Sequence, residues 1–429
     1  MRILVIGAYG LVGGFVTARL LRDGHQIIGV GRDVAAAKRR FPAVRWVAAD
    51  LRKTNPAAWK PLLAGAAAVV NCAGALQDSP RDDLQSVHVK TVTVLAGACA
   101  AVGVRRFVQI SAVGVERGRG QFGQTKNAAD ETLRSSALDW VILRPGVVLA
   151  PAAYGGSALL RGLAAFPGVI PSLNPDSPVQ VISVNDLAEA VARSVLPSAP
   201  AKITCDLVAP EQTSLRDVLL ALRSWLGLPP APLLAMPRWL GDLAAWTADR
   251  LAWLGWRSPM RAAAIDQISA GLVGRSEDAE EHLGFRPQRL AETLARWPSG
   301  VQERWYARLY FVKPVALATL AAFWGVSGAI GLANHAAASR LLANTALPFG
   351  LAAGFVVAGA LVDIALAVLV CVRRIAPLAL KGMILTTAAY LLGATLWLPR
   401  LWADPLGPLV KSVPAALLAM AVLAMMDER

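Results

Sequence analysis

Charge is scarce in this chain: charged residues are 17% of its 429, against roughly 25% in ordinary soluble domains. Cysteine is scarcer still. Only Cys72, Cys99, Cys205 and Cys371 occur, no two at a metal-type spacing, which excludes a small disulfide scaffold and a cysteine-built metal site. The sequence also lacks a His/Cys metal cluster, a nucleophile elbow and a Walker-type loop. No lysine–arginine run exceeds Lys38-Arg39-Arg40, so the formal net charge of +14 does not point to nucleic acid as a partner. What is abundant is apolar material. Hydrophobic residues make up 55% and mean hydropathy is +0.48, too much for a disordered chain. The surplus is uneven. Residues 301–429 hold ten Lys/Arg and five Asp/Glu, and the 300 residues before them hold 33 and 24. Length and contrast together suggest two or three domains.

The N-terminus begins with a basic residue and an apolar run, as a signal peptide would. Gly7, Gly10, Gly13 and Gly14 interrupt that run, and no small-x-small cleavage pattern follows. The better reading is strand (Arg2 to Ile6), tight turn (Gly7-Ala8-Tyr9-Gly10-Leu11-Val12-Gly13) and helix (Gly14 to Leu21). Glycine permits positive φ and a close backbone approach, and a helix N-terminus offers free N–H groups to a pyrophosphate. The spacing is G-x-x-G-x-x-G.

Further strands are expected at Gln26 to Gly31, Val44 to Ala49, Ala67 to Asn71, Arg106 to Ile110 and Trp140 to Leu143, separated by apolar helical stretches. Such alternation implies a parallel sheet covered on both faces. Arg32 stands nineteen positions after Gly13. An acidic residue there would hold a ribose 2′-hydroxyl, whereas arginine pairs with a 2′-phosphate. NADP(H) is therefore expected over NAD(H), with a solvated loop arginine as the plainer alternative. Asp50-Leu51 ends the third strand where an adenine would lie, and Cys72-Ala73-Gly74 follows the fourth.

This order of pieces resembles the extended or atypical short-chain dehydrogenase/reductases. The residues that carry the likeness are the glycine turn, Asp50-Leu51, Asn71-Cys72-Ala73-Gly74, Ser111, Leu143-Arg144-Pro145-Gly146 and Ser183-Val184-Asn185-Asp186-Leu187-Ala188. The chain is most similar to the branch containing the nucleotide-binding accessory subunit of respiratory complex I. The resemblance covers roughly residues 1 to 295. It implies a Rossmann fold, an α/β doubly wound parallel sheet with a small C-terminal lobe. It also implies that Gly7, Tyr9, Gly10, Leu11, Val12, Gly13, Arg32, Asp50, Leu51, Cys72, Ala73, Gly74 and Lys126 line the cofactor.

In catalytic members of that family a serine after strand five works with a Tyr-x-x-x-Lys on the next helix. The lysine, one turn on, holds the ribose and lowers the tyrosine pKa. Ser111 and Lys126 match the serine and the lysine, but Phe122 stands in the tyrosine position and has no proton to give. Tyr154 is the one imaginable substitute, with packing in the lobe as its plainer role. His88 falls where the family often has asparagine; a helix-surface histidine and a relay role weigh about equally.

Residues 215 to 296 read as helical, with Trp239, Trp246 and Trp253 at seven-residue spacing and Arg238, Arg250 and Arg257 interleaved. Packing of this stripe on the Rossmann core is the favoured expectation, and a membrane interface the alternative. Beyond Pro298-Ser299-Gly300 come four apolar stretches, about 309–333, 346–372, 377–398 and 407–426. Each is about long enough to cross a bilayer core of about 30 Å. This tail resembles the DoxX-like four-helix membrane domains. Arg304, Arg308, Lys313, Arg373, Arg374 and Lys381 on one side outweigh Arg340, Arg400 and Lys411 on the other, which places both termini in the cytoplasm. Asp363 lies inside the second stretch at a cost of roughly 2.5–3.5 kcal/mol. Lys381 is its expected partner, in a structural pair or a proton or quinone-headgroup site.

The expectation is thus three regions: a Rossmann domain over 1–214, a helical substrate lobe over 215–300 and an all-α four-span membrane domain over 301–429. The protein is expected to sit in the inner (plasma) membrane, multi-pass, as an oxidoreductase acting on a small lipophilic or quinone-like substrate. A non-catalytic NADP(H)-binding scaffold, sensor or assembly factor with a membrane-complex partner is the alternative.

Overall fold

The computed structural model describes residues 1–53, 55–79, 82–118, 120–256, 271–343, 347–405 and 407–427. It divides into two compact units, Met1–Asp249 with Ser258–Ala307, and Arg250–Arg257 with Arg308–Arg429.

In the first unit, the inner strands of the sheet are short, mostly aliphatic runs buried on both faces. The strands are β1 (Arg2–Ile6), β2 (Gln26–Gly31), β3 (Arg45–Ala48), β4 (Ala68–Asn71), β5 (Arg106–Ile110), β6 (Asp139–Pro145), β7 (Val147–Leu149), β8 (Ile170–Ser172), β9 (Pro178–Val179), β10 (Val181–Ser183) and β11 (Ile203–Leu207). Seven of them make one sheet in the order β11-β6-β5-β4-β1-β2-β3, every pairing parallel. Strand order reverses between β1 and β4, which opens a crevice at their carboxyl ends. The first five expected strands appear within a residue of their expected bounds. The sixth, expected to end at Leu143, runs on to Pro145 because β11 supplies partners for Arg144 and Pro145.

The helices are α1 (Leu11–Arg22), α2 (Val34–Arg40), α3 (Pro56–Leu63), α4 (Thr91–Val102), α5 (Gln121–Arg134), α6 (Gly155–Ala164), α7 (Val184–Ser194), α8 (Leu215–Trp225) and α9 (Arg238–Trp253). Alternation along β1 sends Ile3 and Val5 to one core with Val16 and Leu20 of α1 and Leu187 and Val191 of α7. Leu4 and Ile6 go to the other, with Leu63 of α3, Val92 and Leu95 of α4 and Leu133 of α5. Each such side chain contributes about 1.5–3 kcal/mol by leaving water. A smaller third core joins Leu160, Ile170, Leu219, Leu222 and Leu290. The region expected to be helical from 215 also contains a short strand, Leu233–Ala235, paired with β8. In α9, Gly241, Ala245, Ala248 and Ala252 are buried and Trp239, Trp246 and Trp253 are exposed, which corrects the expectation that the tryptophans pack on the Rossmann core.

One correction concerns the glycine turn. The helix starts at Leu11, not Gly14, with Gly10 as its N-cap. Gly13 therefore lies inside the first turn, pressed against β1: a Cβ there would sit 2.1 Å from the Gly7 carbonyl oxygen. Gly7 itself has φ +72°, and its own Cβ would meet the Ala73 and Cys72 backbone at 3.1–3.2 Å.

The second unit is helical. Val301–Ala333, Phe349–Val370 and Ala376–Trp397 are long and apolar enough to cross a membrane. The fourth expected span is the apolar helix Pro408–Ala424. Its 17 residues extend about 25 Å at 1.5 Å per residue, short of the usual span. Leu320, Trp324, Leu366, Leu380, Met383, Ala419 and Val422 share one core among these four helices.

The close approach at the glycine turn gives a first test. Gly13→Ala should lower the stability of the head by about 1–3 kcal/mol through overpacking. Gly97→Ala, in α4 with nothing within 4 Å of the new methyl, should be neutral or slightly stabilising. Thermal unfolding midpoints of the two variants check this, and equal midpoints would show that the glycine contact is not tight.

Candidate functional site

The crevice at the carboxyl ends of β1 and β4 is floored by the glycine turn. Gly7 N–H donates to Val30 O and Cys72 N–H to Ile6 O, each at 3.0 Å, so both strands flanking β1 hold the turn. Leu11, Val12 and Gly13 form the first turn of α1, where backbone N–H groups lack intrahelical partners. They present the positive end of the helix dipole to this crevice, a site suited to a pyrophosphate. The missing side chains of Gly7 and Gly13 leave the backbone surface a dinucleotide needs.

Tyr9 does more than the sequence suggested. Its ring lies over Gly31, where a Cβ would fall 2.0 Å from the ring, and tilts against Trp46 with centroids 6.0 Å apart. Its hydroxyl accepts from the backbone N–H groups of Arg32 at 3.2 Å and Asp33 at 3.1 Å. The tyrosine thereby fixes the end of β2. Arg32 reaches across to Asp82 at 2.9 Å with its side chain 42% exposed. Asp50, after β3, is engaged by Arg52 (Nη2–Oδ2 2.6 Å). Hydrogen bonds from Arg52 bring the Asp50 carboxyl down to about 2, so it is ionised at neutral pH. Leu51 starts the single turn that follows.

On the other side of the crevice, Cys72, Ala73 and Gly74 follow β4. Asn71, buried, donates to Gln109 Oε1 at 2.9 Å and accepts from Ala73 N–H at 3.1 Å, which sets the path of that loop. A Cβ on Gly74 would meet Lys126 Nζ at 3.4 Å and His88 Nε2 at 3.8 Å. The three residues therefore come together. His88 is 1% exposed, which overturns the helix-surface reading. Ala75 N–H donates to its Nε2 at 3.2 Å, leaving Nδ1 as the N–H that meets Thr125 Oγ1 at 2.8 Å. Burial, helped by the Lys126 charge, depresses His88 to about 2. It is thus neutral, held between the Ala75 amide and the Thr125 hydroxyl.

Phe122 packs edge-on against His88 with ring centroids 5.6 Å apart. Lys126, 4% exposed, donates from Nζ to Ile110 O at 2.8 Å. Burial brings its ammonium down to about 8, with Asp130 opposing the shift. Ser111, beside it after β5, is committed elsewhere: its hydroxyl donates to Asp130 Oδ2 at 2.8 Å. Asp130 is fully buried and pairs with Arg144 at 3.2 Å, and Arg144 in turn meets Glu116 at 2.5 Å. Asp130 Oδ1 is buried with no hydrogen-bond partner among the described residues. The sequence reading missed Asp130, although its place four residues after Lys126 put it on the same helical face. Tyr154 N-caps α6 in extended conformation.

Asp278, Glu281 and His282 bring ligand atoms within 4.8 Å of one another. Arg275 already occupies them, at 3.3 Å from Asp278 and 3.4 Å from Glu281.

In the helical unit, Asp363 is 6% exposed. Tyr390 OH donates to its Oδ1 at 2.9 Å and Ser327 OH to its Oδ2 at 3.5 Å. The expected partner Lys381 is replaced by these hydroxyls. Lys381 is exposed and nine residues before Tyr390 on the same helix, about 13 Å along its axis. Gly328 and Gly359 make the room: Cβ atoms there would lie 3.1 Å from Asp363 Cβ and 2.9 Å from Tyr390 OH.

Comparison with known proteins agrees with this geometry. Residues 7–195 match the NAD(P)H-binding family model, and residues 321–420 match the DoxX-like family. An uncharacterised protein of Mycobacterium tuberculosis is 27% identical over 236 residues, 54% of this chain but only 24% of that protein. The chain thus spans about a quarter of the length of this relative. The ceramide reductase of Caulobacter vibrioides is 27% identical over 187 residues, 43% of this chain and 58% of that one. Among solved structures, the Citrobacter triphenylmethane reductase with NADP(H) superposes with TM-score 0.55 at 20% identity, covering 69% of this chain and 99% of that one. The NADPH-dependent quinone oxidoreductase of Escherichia coli gives TM-score 0.54 at 19% identity, over 68% and 99%. At these identities the superpositions speak for the fold. The chain therefore carries an NAD(P)H-binding domain on a Rossmann-like parallel sheet, matched over residues 7–195, and a C-terminal DoxX-like domain, matched over residues 321–420.

Proposed function

We propose that the protein is a membrane-anchored oxidoreductase that prefers NADP(H) to NAD(H) and acts on a lipophilic or quinone-like substrate. One juxtaposition carries this reading: the buried Lys126 amine lies against Gly74, beside the crevice that the glycine turn floors. When bound, the nicotinamide supplies or accepts the hydride. This chain's own residues do the rest. The backbone from Gly7 to Gly13 seats the pyrophosphate, and Asp50 and Leu51 border the adenine. Arg32, leaving Asp82, meets the 2′-phosphate. Lys126 holds the ribose hydroxyls. Phe122 has no proton to give, so Lys126 Nζ is the proton donor for a substrate carbonyl; a group near 8 is well matched to neutral operation.

The lipophilic substrate class is supported by the DoxX-like domain and by the matched relative named for ceramide. On this reading residues 215–300 form the substrate lobe and 301–429 the membrane domain in the inner membrane. The six-to-three excess of flanking basic residues supports a cytoplasmic head and cytoplasmic termini. A second reading, an NADP(H)-binding scaffold or sensor for a membrane complex, is favoured by one observation. Ser111 turns its hydroxyl to Asp130, away from any substrate, and Phe122 is inert.

Purified full-length protein, titrated with NADPH and NADH and then assayed for NADPH oxidation with quinone and long-chain ketone acceptors, separates the two readings. Turnover that Lys126→Ala abolishes supports the enzyme; tight NADPH binding with no turnover favours the scaffold. Arg32→Ala should weaken NADPH about ten- to hundredfold, the loss expected for a charge-assisted phosphate contact, and leave NADH nearly unchanged. Equal losses for both dinucleotides remove the 2′-phosphate role.

A pH dependence follows from Lys126. Its positive charge is present below about 8 and lost above it, so NADPH affinity should fall as pH rises through that value. The step should be absent in Lys126→Ala. An affinity flat from pH 7 to 9.5 in the unsubstituted protein would show that the ammonium does not contact the cofactor.

A further inference from the structure

We infer that Asp82 competes with the 2′-phosphate of NADP(H) for Arg32 and thereby sets how strongly the protein discriminates NADPH from NADH. The inference rests on the dinucleotide reading of Arg32 above and adds a specificity-determining residue to it. Sheet order explains how Asp82 arrives. β4 and β2 flank β1. A residue that follows β4 must therefore pass the carboxyl end of β1, where the glycine turn lies, to reach Arg32 after β2. Asp82 does so, and its Oδ1 meets Arg32 Nη2 at 2.9 Å. A small frame holds it there. Ser79 N–H donates to Asp82 O at 2.8 Å, and Asp82 N–H to Ser79 O at 3.1 Å. Asp82 N–H also meets Ser79 Oγ at 3.0 Å. Asp78 steadies the frame from both sides: it accepts from Leu84 N–H at 2.7 Å and from Nε2 of Gln121, the first residue of α5, at 2.8 Å.

An ordinary surface ion pair is weak, partly because two side chains must be ordered to make it. Here the backbone frame has already placed the acid, and its side chain is 19% exposed against 42% for Arg32. Arginine grips a phosphate best through two parallel N–H bonds, and the Nη2 that Asp82 holds is one of the groups that make them. Two anions beside one guanidinium also repel each other. A 2′-phosphate therefore takes the full grip only when the Asp82 carboxylate gives way. The displaced carboxylate has a second partner at hand, because Ser79 Oγ lies 3.4 Å from its Oδ2. A side-chain rotation exchanges one partner for the other while the backbone frame stays in place. The ribose 2′-hydroxyl of NADH carries no charge, so NADH neither needs Arg32 nor meets this competition. Asp83, next in the chain, is turned elsewhere: it accepts from the Ser86 hydroxyl and from Gln85 N–H. It supplies a control of equal charge.

Isothermal titration calorimetry of the full-length protein with NADPH and with NADH tests this. Asp82→Asn keeps the shape of the side chain and removes its charge. It should bind NADPH about three- to tenfold more tightly, the effect of losing one contacting charge, and change NADH by less than about twofold. Asp83→Asn should leave both affinities nearly unchanged. In an Arg32→Ala background the gain from Asp82→Asn should disappear. If Asp82→Asn leaves NADPH affinity unchanged or weakens it, while Arg32→Ala still loses NADPH selectively, the inference fails and the 2′-phosphate role of Arg32 stands. An equal gain from Asp83→Asn also overturns the inference, because negative charge near the site, not occupancy of Arg32, would then be the cause. If Arg32→Ala weakens both dinucleotides alike, or neither, the reading of Arg32 falls and this inference falls with it. Where Asp82→Asn lowers the thermal unfolding midpoint, Asp82→Ser carries the same comparison.

Discussion

The contact between the backbones of Gly7 and Gly13 is the constraint on which the nucleotide head depends. The Gly7 carbonyl occupies the space that a side chain on Gly13 would need, so α1 begins immediately at the end of β1. The helix N-terminus is thereby aimed at the crevice where strand order reverses. Positive φ at Gly7 turns the chain against the Cys72–Ala73 backbone and brings the β4 loop to the same place. Tyr9, lifted out of this turn, reaches Gly31 and clamps the amides that follow β2. One close approach therefore fixes the pyrophosphate floor, the end of β2 that carries Arg32, and the loop that carries Gly74.

Around that floor the chain places two polar groups of different character. Arg32 and Asp50 lie near the surface, each held by an opposite charge that a ligand can displace. Lys126, His88, Ser111, Asp130 and Arg144 are buried, where an uncompensated charge costs several kcal/mol. There the geometry is settled by who neutralises whom. Asp130 takes the Ser111 hydroxyl and the Arg144 guanidinium, Lys126 finds the Ile110 carbonyl, and His88 stays neutral between an amide and a threonine. Phe122 fits this arrangement because its ring asks for no hydrogen bond.

The helical unit solves the same problem with fewer charges. Asp363 meets two hydroxyls in space opened by Gly328 and Gly359, not a lysine. Arg373 sits at one end of its helices, its N–H on the Leu254 carbonyl and its guanidinium beside the Trp256 ring.

Much of this was legible in the sequence, and the division follows physical lines. Period and punctuation fixed the strands, the glycine turn, the α/β order and the apolar helices, because those depend on local runs and on the steric freedom of glycine. Spacing put Arg32 in a candidate role, and the family resemblance did the same for Lys126 and set Phe122, which has no proton to give, in the tyrosine position. What required the fold were contacts between residues far apart in sequence. Asp130 claims Ser111 across nineteen positions, Tyr390 displaces Lys381 as the partner of Asp363, and His88 is buried against Thr125. The tryptophan stripe of α9 could be seen in the sequence, but not which face of the helix would be buried. Close packing gave that face to glycine and alanine, since only small residues allow the backbone so near its neighbours, and left the tryptophans outside. The sequence by itself determined which chemistries this protein can attempt; only the tertiary structure decided which of its polar groups are spent on one another and which are left to meet a ligand.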